Sequence, residues 1–315
     1  MPSGTYNPLH RMKPLQHTTS SRRDFLKLGA GAVGGILASS SLAEAALWAE
    51  ESRKLSLPLG ICTSYDKAAL LKSIGYSYVE ENVGRFLIPD KGGDEQYAKN
   101  VEALKTTGVP LRSYVTFIPG SIKSVGPNAN HEALLERADL AFKRAKECGS
   151  PYVVFGSSAS RTIPEGFDRA KAKEQHTEVS KKMALLAEKH GITVALEPLN
   201  RSETNFINSL AEGVEIIEAV NHPRFRLLCD IYHMLKDNEG PEQIVKYGKY
   251  IVHCHIAEKQ NRTAPGVVGD DFREYFKALK KIKYRGGLSI EGRWTNFDSE
   301  AKKAFEVLTQ QMSEV

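Results

Sequence analysis

Four residues able to hold a metal ion recur at matching places in the second half of the chain: Glu197 in TVALEPLN, Asp230 in RLLCDIYHM, His255 in IVHCHIAE and Glu291 in GLSIEGRW. Each closes a run of apolar residues that reads as a strand. Three carboxylates aimed at one place repel one another, and burying them is costly without a compensating charge. A divalent cation supplies that charge. Three carboxylates and one imidazole suit an ion that prefers oxygen: Mn²⁺ is the expected ion, with Mg²⁺ or Co²⁺ as alternatives.

The elements that must position these residues can be read from hydrophobic period. Strand-like runs fall at 57–62, 77–82, 110–117, 151–157, 192–198, 226–231, 250–256 and 287–292. Between them apolar residues repeat at helical spacing: Tyr97, Val101 and Leu104; Leu210, Val214 and Ile217; Phe272, Phe276 and Leu279. Eight strands alternating with helices imply an α/β chain folded as a single (β/α)₈ TIM barrel, in which the carboxyl ends of the strands converge on one mouth. A doubly wound open sheet would show a glycine fingerprint after its first strand, and ICTSYD has none. Strand alternation supports the convergence. Thr193, Ala195 and Glu197 share a face, as do Leu228 and Asp230, His253 and His255, and Ser289 and Glu291. The stretches 118–130, 157–168 and 257–270 lack periodicity and follow strands, so they belong among the loops of the mouth.

Other polar residues have plainer readings. His253 lies one layer below His255 and reads as a packed histidine supporting the site. His176 and His190 fall in a charged helical segment and read as surface residues. Either Glu80 or Glu81 faces the cavity, but parity does not choose between them. Trp294 either walls the pocket or packs at the rim. Cys62, Cys148, Cys229 and Cys254 form no CxxC pair and read as small packed residues.

The segments EPLNRSE, DIYHM, HCHIAE and SIEGRW resemble those of the xylose isomerase-like barrel superfamily, within it the sugar isomerases and ketose 3-epimerases. The resemblance implies that Glu197, Asp230, His255 and Glu291 are the metal ligands. It also implies that Glu197 and Glu291 are the catalytic acid/base pair, and that Glu203, His233 and Arg262 bind substrate. The chemistry is consistent with this. Removing a proton from a carbon beside a carbonyl needs a base and a cation to stabilise the enediolate, and returning one on the opposite face needs a second acid/base group. The expected function is therefore a metal-dependent epimerase or isomerase of an unphosphorylated sugar, keto-sugar or cyclitol. A lyase or dehydratase acting by β-elimination on a 3-keto-glycoside or inosose is the alternative. An apurinic endonuclease and a non-catalytic carbohydrate-binding barrel are weaker readings.

The amino-terminal region reads differently. Ser21-Arg22-Arg23-Asp24-Phe25-Leu26-Lys27 is a twin-arginine pattern, followed by a glycine-rich apolar stretch and the small residues Ala43 and Ala45. Residues 1–45 are expected to be a cleaved twin-arginine export signal, 46–56 a linker and 57–315 the barrel, with a periplasmic destination. The apolar stretch is short of the roughly twenty residues that span a bilayer. The full chain carries a net charge of +5, and loss of residues 1–45 leaves about +2. That mild charge gives no electrostatic footprint for nucleic acid or an anionic membrane. The expected partner is a small carbohydrate, with self-association left open.

Overall fold

The two alternating periods resolve into eight β/α units in a computed structural model that describes residues 54–90 and 92–315. The export-signal reading of 1–45 and most of the linker lie outside the described residues. The strands are β1 (Leu59–Cys62), β2 (Tyr78–Asn82), β3 (Leu111–Val115), β4 (Tyr152–Phe155), β5 (Thr193–Leu196), β6 (Phe225–Asp230), β7 (Ile251–Ile256) and β8 (Leu288–Ile290). All paired strands are parallel, in the order β3-β2-β1-β8-β7-β6-β5-β4. The two ends of this sheet meet, so the barrel is closed but for a seam between β3 and β4. Serines bridge that seam. The Ser150 hydroxyl donates to the Leu111 carbonyl at 2.6 Å, and Ser157 Oγ accepts from the Ile118 N–H at 2.9 Å.

Helices cover the outside: α1 (Ala68–Ile74), α2 (Asp94–Thr107), α3 (His131–Glu147), α4 (Ser158–Arg161), α5 (Arg169–His190), α6 (Leu210–Val220), α7 (Ile231–Lys236), α8 (Glu242–Tyr247), α9 (Arg273–Lys281) and α10 (Phe297–Ser313). Their starts are built locally. Asn130, Asp168, Ser209, Asp230 and Asn296 accept a backbone N–H of the following helix's first turn. Helices α2 and α5 end where Gly108 and Gly191 take the left-handed conformation, at φ of 66° and 72°, which a side chain would disfavour. The apolar face of α6 buries Leu210, Val214 and Ile217, as its period predicts. The face of α2 stays only partly covered, since none of its residues is fully buried. No described helix is long and apolar enough to cross a membrane.

The main hydrophobic core lies between the strands' outer faces and the helices. Inside the barrel, a small apolar cluster of Val154, Ala195 and Leu228 fills one side. The other side is polar: Tyr78, Glu80, Ser113, His253 and Ser289 are all buried there. Barrels of this kind are usually filled with layers of branched aliphatic side chains, so this half-polar filling is a departure that needs a reason.

Candidate metal and acid–base centre

Register brings the four sequence-predicted ligands to one height. Asp230 pairs with His255 across β6 and β7, and His255 with Ser289 across β7 and β8. Glu197 and Glu291 stand one residue past the ends of β5 and β8. One potential ligand atom from each of Glu197, Asp230, His255 and Glu291 lies within 4.8 Å of all the others. His255 Nδ1 is 3.1 Å from Glu197 Oε1 and 2.9 Å from Glu291 Oε2. Asp230 divides its carboxylate: Oδ1 accepts the Tyr232 N–H at 2.8 Å and caps α7, which leaves Oδ2 for the cluster.

The electrostatics of this cluster call for a cation. Burial, opposed by Arg262 and reinforced by Glu197, pushes the Asp230 carboxyl up to about 7. Burial also raises Glu197, against its hydrogen bond from His255 and with further upward pressure from Glu291. Burial would raise Glu291 too, but Arg262 and the His255 ring outweigh it and hold that carboxyl down at about 2. For His255, burial favours the neutral ring, yet Glu80 and the hydrogen bonds to Glu197 and Glu291 keep it charged. An imidazolium proton thus stands between carboxylates where a divalent ion would neutralise more charge. The donor set fits an oxygen-preferring divalent cation.

The three residues expected to bind substrate surround the same place. Arg262 Nη2 donates to Glu291 Oε2 at 2.7 Å and to Asp230 Oδ2 at 3.2 Å, and Nη1 lies 3.5 Å from Glu203 Oε1. His233 is neutral, depressed by burial and then by Arg262. Its Nδ1 accepts the Asn200 backbone N–H at 3.2 Å, so its proton sits on Nε2. That Nε2–H is buried without a hydrogen-bond partner, 3.4 Å from Asp230 Oδ2. Such a donor has its partner still to come. Glu197, Glu203, His233, Arg262 and Glu291 all line a hollow of about 150 Å³, whose other wall carries Thr116, Ser157 and Ser158. A larger hollow of about 290 Å³ runs beside Tyr65, Glu81 and Arg85, but Glu81 and Arg85 already satisfy each other there, and it offers no convergent acid–base set.

A model of the xylose isomerase-like TIM barrel family matches residues 68–311. The chain belongs to that family. Among its relatives, the L-ribulose 3-epimerase of Methylomonas sp. is 30% identical over 204 residues, which are 64% of this chain and 66% of that protein. The 3-dehydro-D-guloside 4-epimerase of Escherichia coli is 32% identical over 109 residues, 34% of this chain and 41% of that protein. Both matches span less than two thirds of the relative. The structure of 3-keto-D-glucoside 4-epimerase from E. coli superposes with a TM-score of 0.67 at 19% identity, covering 81% of this chain and 100% of that one, which shows a shared fold.

This member of the xylose isomerase-like family thus brings together all seven residues singled out in its sequence. Of the other readings, those of the two helical histidines need correction, and those of Trp294 and the cysteines are resolved. His176 is fully buried, not at the surface: it stacks on Phe155 at 5.1 Å, and its Nδ1 is 3.3 Å from Ser124 Oγ, because the loop after β3 folds over α5. His190 is half-buried, 2.7 Å from Asp139 Oδ1. Trp294 packs on Phe297 at the rim, with ring centroids 4.9 Å apart, and does not line the hollow. All four cysteines are free; Cys229 and Cys254 are packed in strands, while Cys62 and Cys148 are partly accessible.

Of the adjacent glutamates, Glu80 faces the axis. Glu81 turns outward and accepts from the N–H groups of Tyr65 and Asn82, each at 2.7 Å. Sequence reasoning passed over Gly156, Arg161, Asn200 and Glu258. Arg161 is fully buried and donates to the Glu197 carbonyl at 2.7 Å, which fixes the backbone that carries that carboxylate. Arg161 and Glu258 act through backbone contacts, Gly156 by lacking a side chain beside Glu197, and Asn200 through His233 and Glu203, none of which leaves a periodic trace.

Proposed function

We propose that this protein is a divalent-cation-dependent epimerase or isomerase of an unphosphorylated sugar, keto-sugar or cyclitol, working by proton transfer at the carbon beside a carbonyl. The pair Glu197 and Glu291 carries the reading. These carboxylates come from different strands, line one hollow, and are pushed in opposite directions by their surroundings. A bound divalent ion, with Mn²⁺ expected, would be held by Glu197, Asp230, His255 and Glu291 and would stabilise negative charge on substrate oxygens beside the reacting carbon.

The chain's own groups do the rest. One of Glu197 and Glu291 accepts the proton from the reacting carbon, and the other, carrying a proton on the oxygen turned away from the ion, returns it on the opposite face; the reverse reaction exchanges the two roles. The free Nε2–H of His233 donates to a substrate oxygen, Glu203 accepts from a hydroxyl, and Arg262 orients both carboxylates and sugar. Among the described residues, Arg262 is the one arginine or lysine lining the hollow, and it is committed to Glu291, Asp230 and Glu203. No cation among the described lining residues remains for a phosphate. The twin-arginine pattern supports the same conclusion, because sugar phosphates are mainly cytoplasmic; we propose export to the periplasm with residues 1–45 as the signal. The relatives named 3-epimerase and 4-epimerase support epimerisation and differ in the carbon they invert.

The test is proton exchange. Chain loaded with Mn²⁺ should wash the α-proton of a free ketose, 3-keto-glycoside or inosose into D₂O and give a product of unchanged composition, while the corresponding phosphates should be poor substrates. Glu197→Gln and Glu291→Gln should each reduce kcat by about 100-fold or more. Absence of exchange across all three substrate classes would refute the proposal. An unsaturated sugar with a released group would show elimination instead.

A further inference from the structure

The polar filling beneath the mouth has a role that the cluster itself does not display. Glu80 is fully buried and makes no contact with solvent. Its Oε1 lies 3.1 Å from His255 Nε2, and its Oε2 lies 2.9 Å from His253 Nε2. That second histidine is held in turn: its Nε2 is 3.3 Å from the hydroxyls of both Ser113 and Ser289, and its ring stacks on Tyr152 at 5.8 Å. Ser289 Oγ is 2.9 Å from the Tyr78 hydroxyl. Gly60 leaves room for this tier, because a β-carbon there would sit 2.1 Å from the Tyr78 ring. A continuous column of hydrogen-bonding groups therefore runs from the barrel floor to the underside of His255.

His255 has two nitrogens and two different sets of neighbours. Nδ1 faces Glu197 and Glu291, whereas Nε2 faces only Glu80 among the described carboxylates within 4.0 Å. A ring that binds a cation through one nitrogen keeps its proton on the other, and a carboxylate on that side fixes the tautomer, aims the ring and raises its donor strength.

We propose that Glu80 is a positioning residue: it holds the proton on His255 Nε2 and so presents Nδ1 to the metal, with His253, Ser113 and Ser289 fixing Glu80 in turn. This inference rests on the metal reading of the four-residue cluster. It explains why the axis is polar on this side, since a buried carboxylate needs all of its partners in place.

Two measurements test it on the full-length protein. In the Mg²⁺-loaded wild type, nitrogen NMR of ¹⁵N-histidine-labelled chain should show His255 with Nε2 protonated and Nδ1 bare. The reverse tautomer overturns the inference, whatever any variant does. In calorimetric titration with Mn²⁺, Glu80→Gln should bind roughly 10–100-fold more weakly than wild type, with unchanged far-ultraviolet dichroism, and Glu80→Asp should recover part of that loss. A folded Glu80→Gln chain with wild-type Mn²⁺ affinity overturns the role of Glu80 while leaving the four-ligand site intact. A wild type that binds no Mn²⁺ overturns the site and this inference together.

Discussion

Gly156 shows how closely the Glu197 carboxylate is packed. A β-carbon at this position would sit 1.9 Å from Glu197 Oε2, so the missing side chain is the space that the carboxylate occupies. Gly156 is not among the glycines with positive φ, so its backbone would accept alanine. Gly156→Ala should therefore fold, with a melting temperature within a few degrees of wild type, and lose about 100-fold in kcat, because displacing a reacting group by about 1 Å costs that much. Wild-type turnover in the folded variant would mean that Glu197 works from another position. That these four residues would meet was legible because each is the last inward-facing residue of an apolar run, where a charged side chain has no packing reason to be. Glu80 was not. A register shift between Val79 and Glu80 breaks the count of alternation just where two glutamates stand side by side.

At the scale of elements, the loop after β7 is wound around one carboxylate. Glu258 is fully buried and accepts from the N–H groups of Gly266 at 2.8 Å, Val268 at 2.6 Å and Gly269 at 2.8 Å, and from the Thr263 hydroxyl at 2.8 Å. Burial works against its ionisation, but these donors outweigh burial and hold the carboxyl below its usual range. The loop keeps Asn261 and Arg262 at φ of 57° and 55°, a left-handed conformation uncommon for residues other than glycine, and this turn carries the guanidinium back to Glu291. Glu258→Gln places an amide N–H₂ against backbone donors. It should raise KM about 10-fold with a smaller effect on kcat and speed hydrogen exchange over 259–270; unchanged exchange there would show that the loop holds itself. The same loop shows where sequence reading stops. The strands were legible because they are apolar runs, although several are shorter than those runs: the fourth run, 151–157, narrows to Tyr152–Phe155. The loop carries no such period, and its order comes from side-chain-to-backbone bonds visible only in three dimensions.

For the whole molecule, barrel class and the direction of the mouth followed from eight runs and their spacing, while the interior did not, because a half-polar axis breaks the aliphatic pattern that usually fills it. One buried group also sets how stability responds to acid. Burial, with Arg161 and His131 nearby, depresses the His176 ring to about 3. The unfolded chain takes up this proton near its ordinary value of about 6.5, and the folded chain does so only near 3. Stability is therefore complete above about 6.5 and falls as the pH drops toward 3, by on the order of 1.4 kcal/mol per pH unit from this group. His176→Phe preserves the stacking on Phe155 and should flatten the melting-temperature profile across that window; parallel profiles for the two proteins would show that other groups dominate. The column from Tyr78 to His255 has a further consequence for anyone who would graft this mouth onto a different eight-stranded scaffold. Ligand side chains copied alone would land on an oily floor that gives the imidazole no fixed orientation. On the proposed metal reading, foundation and cluster must be transplanted as one unit, or the graft will have the right letters and no grip on an ion.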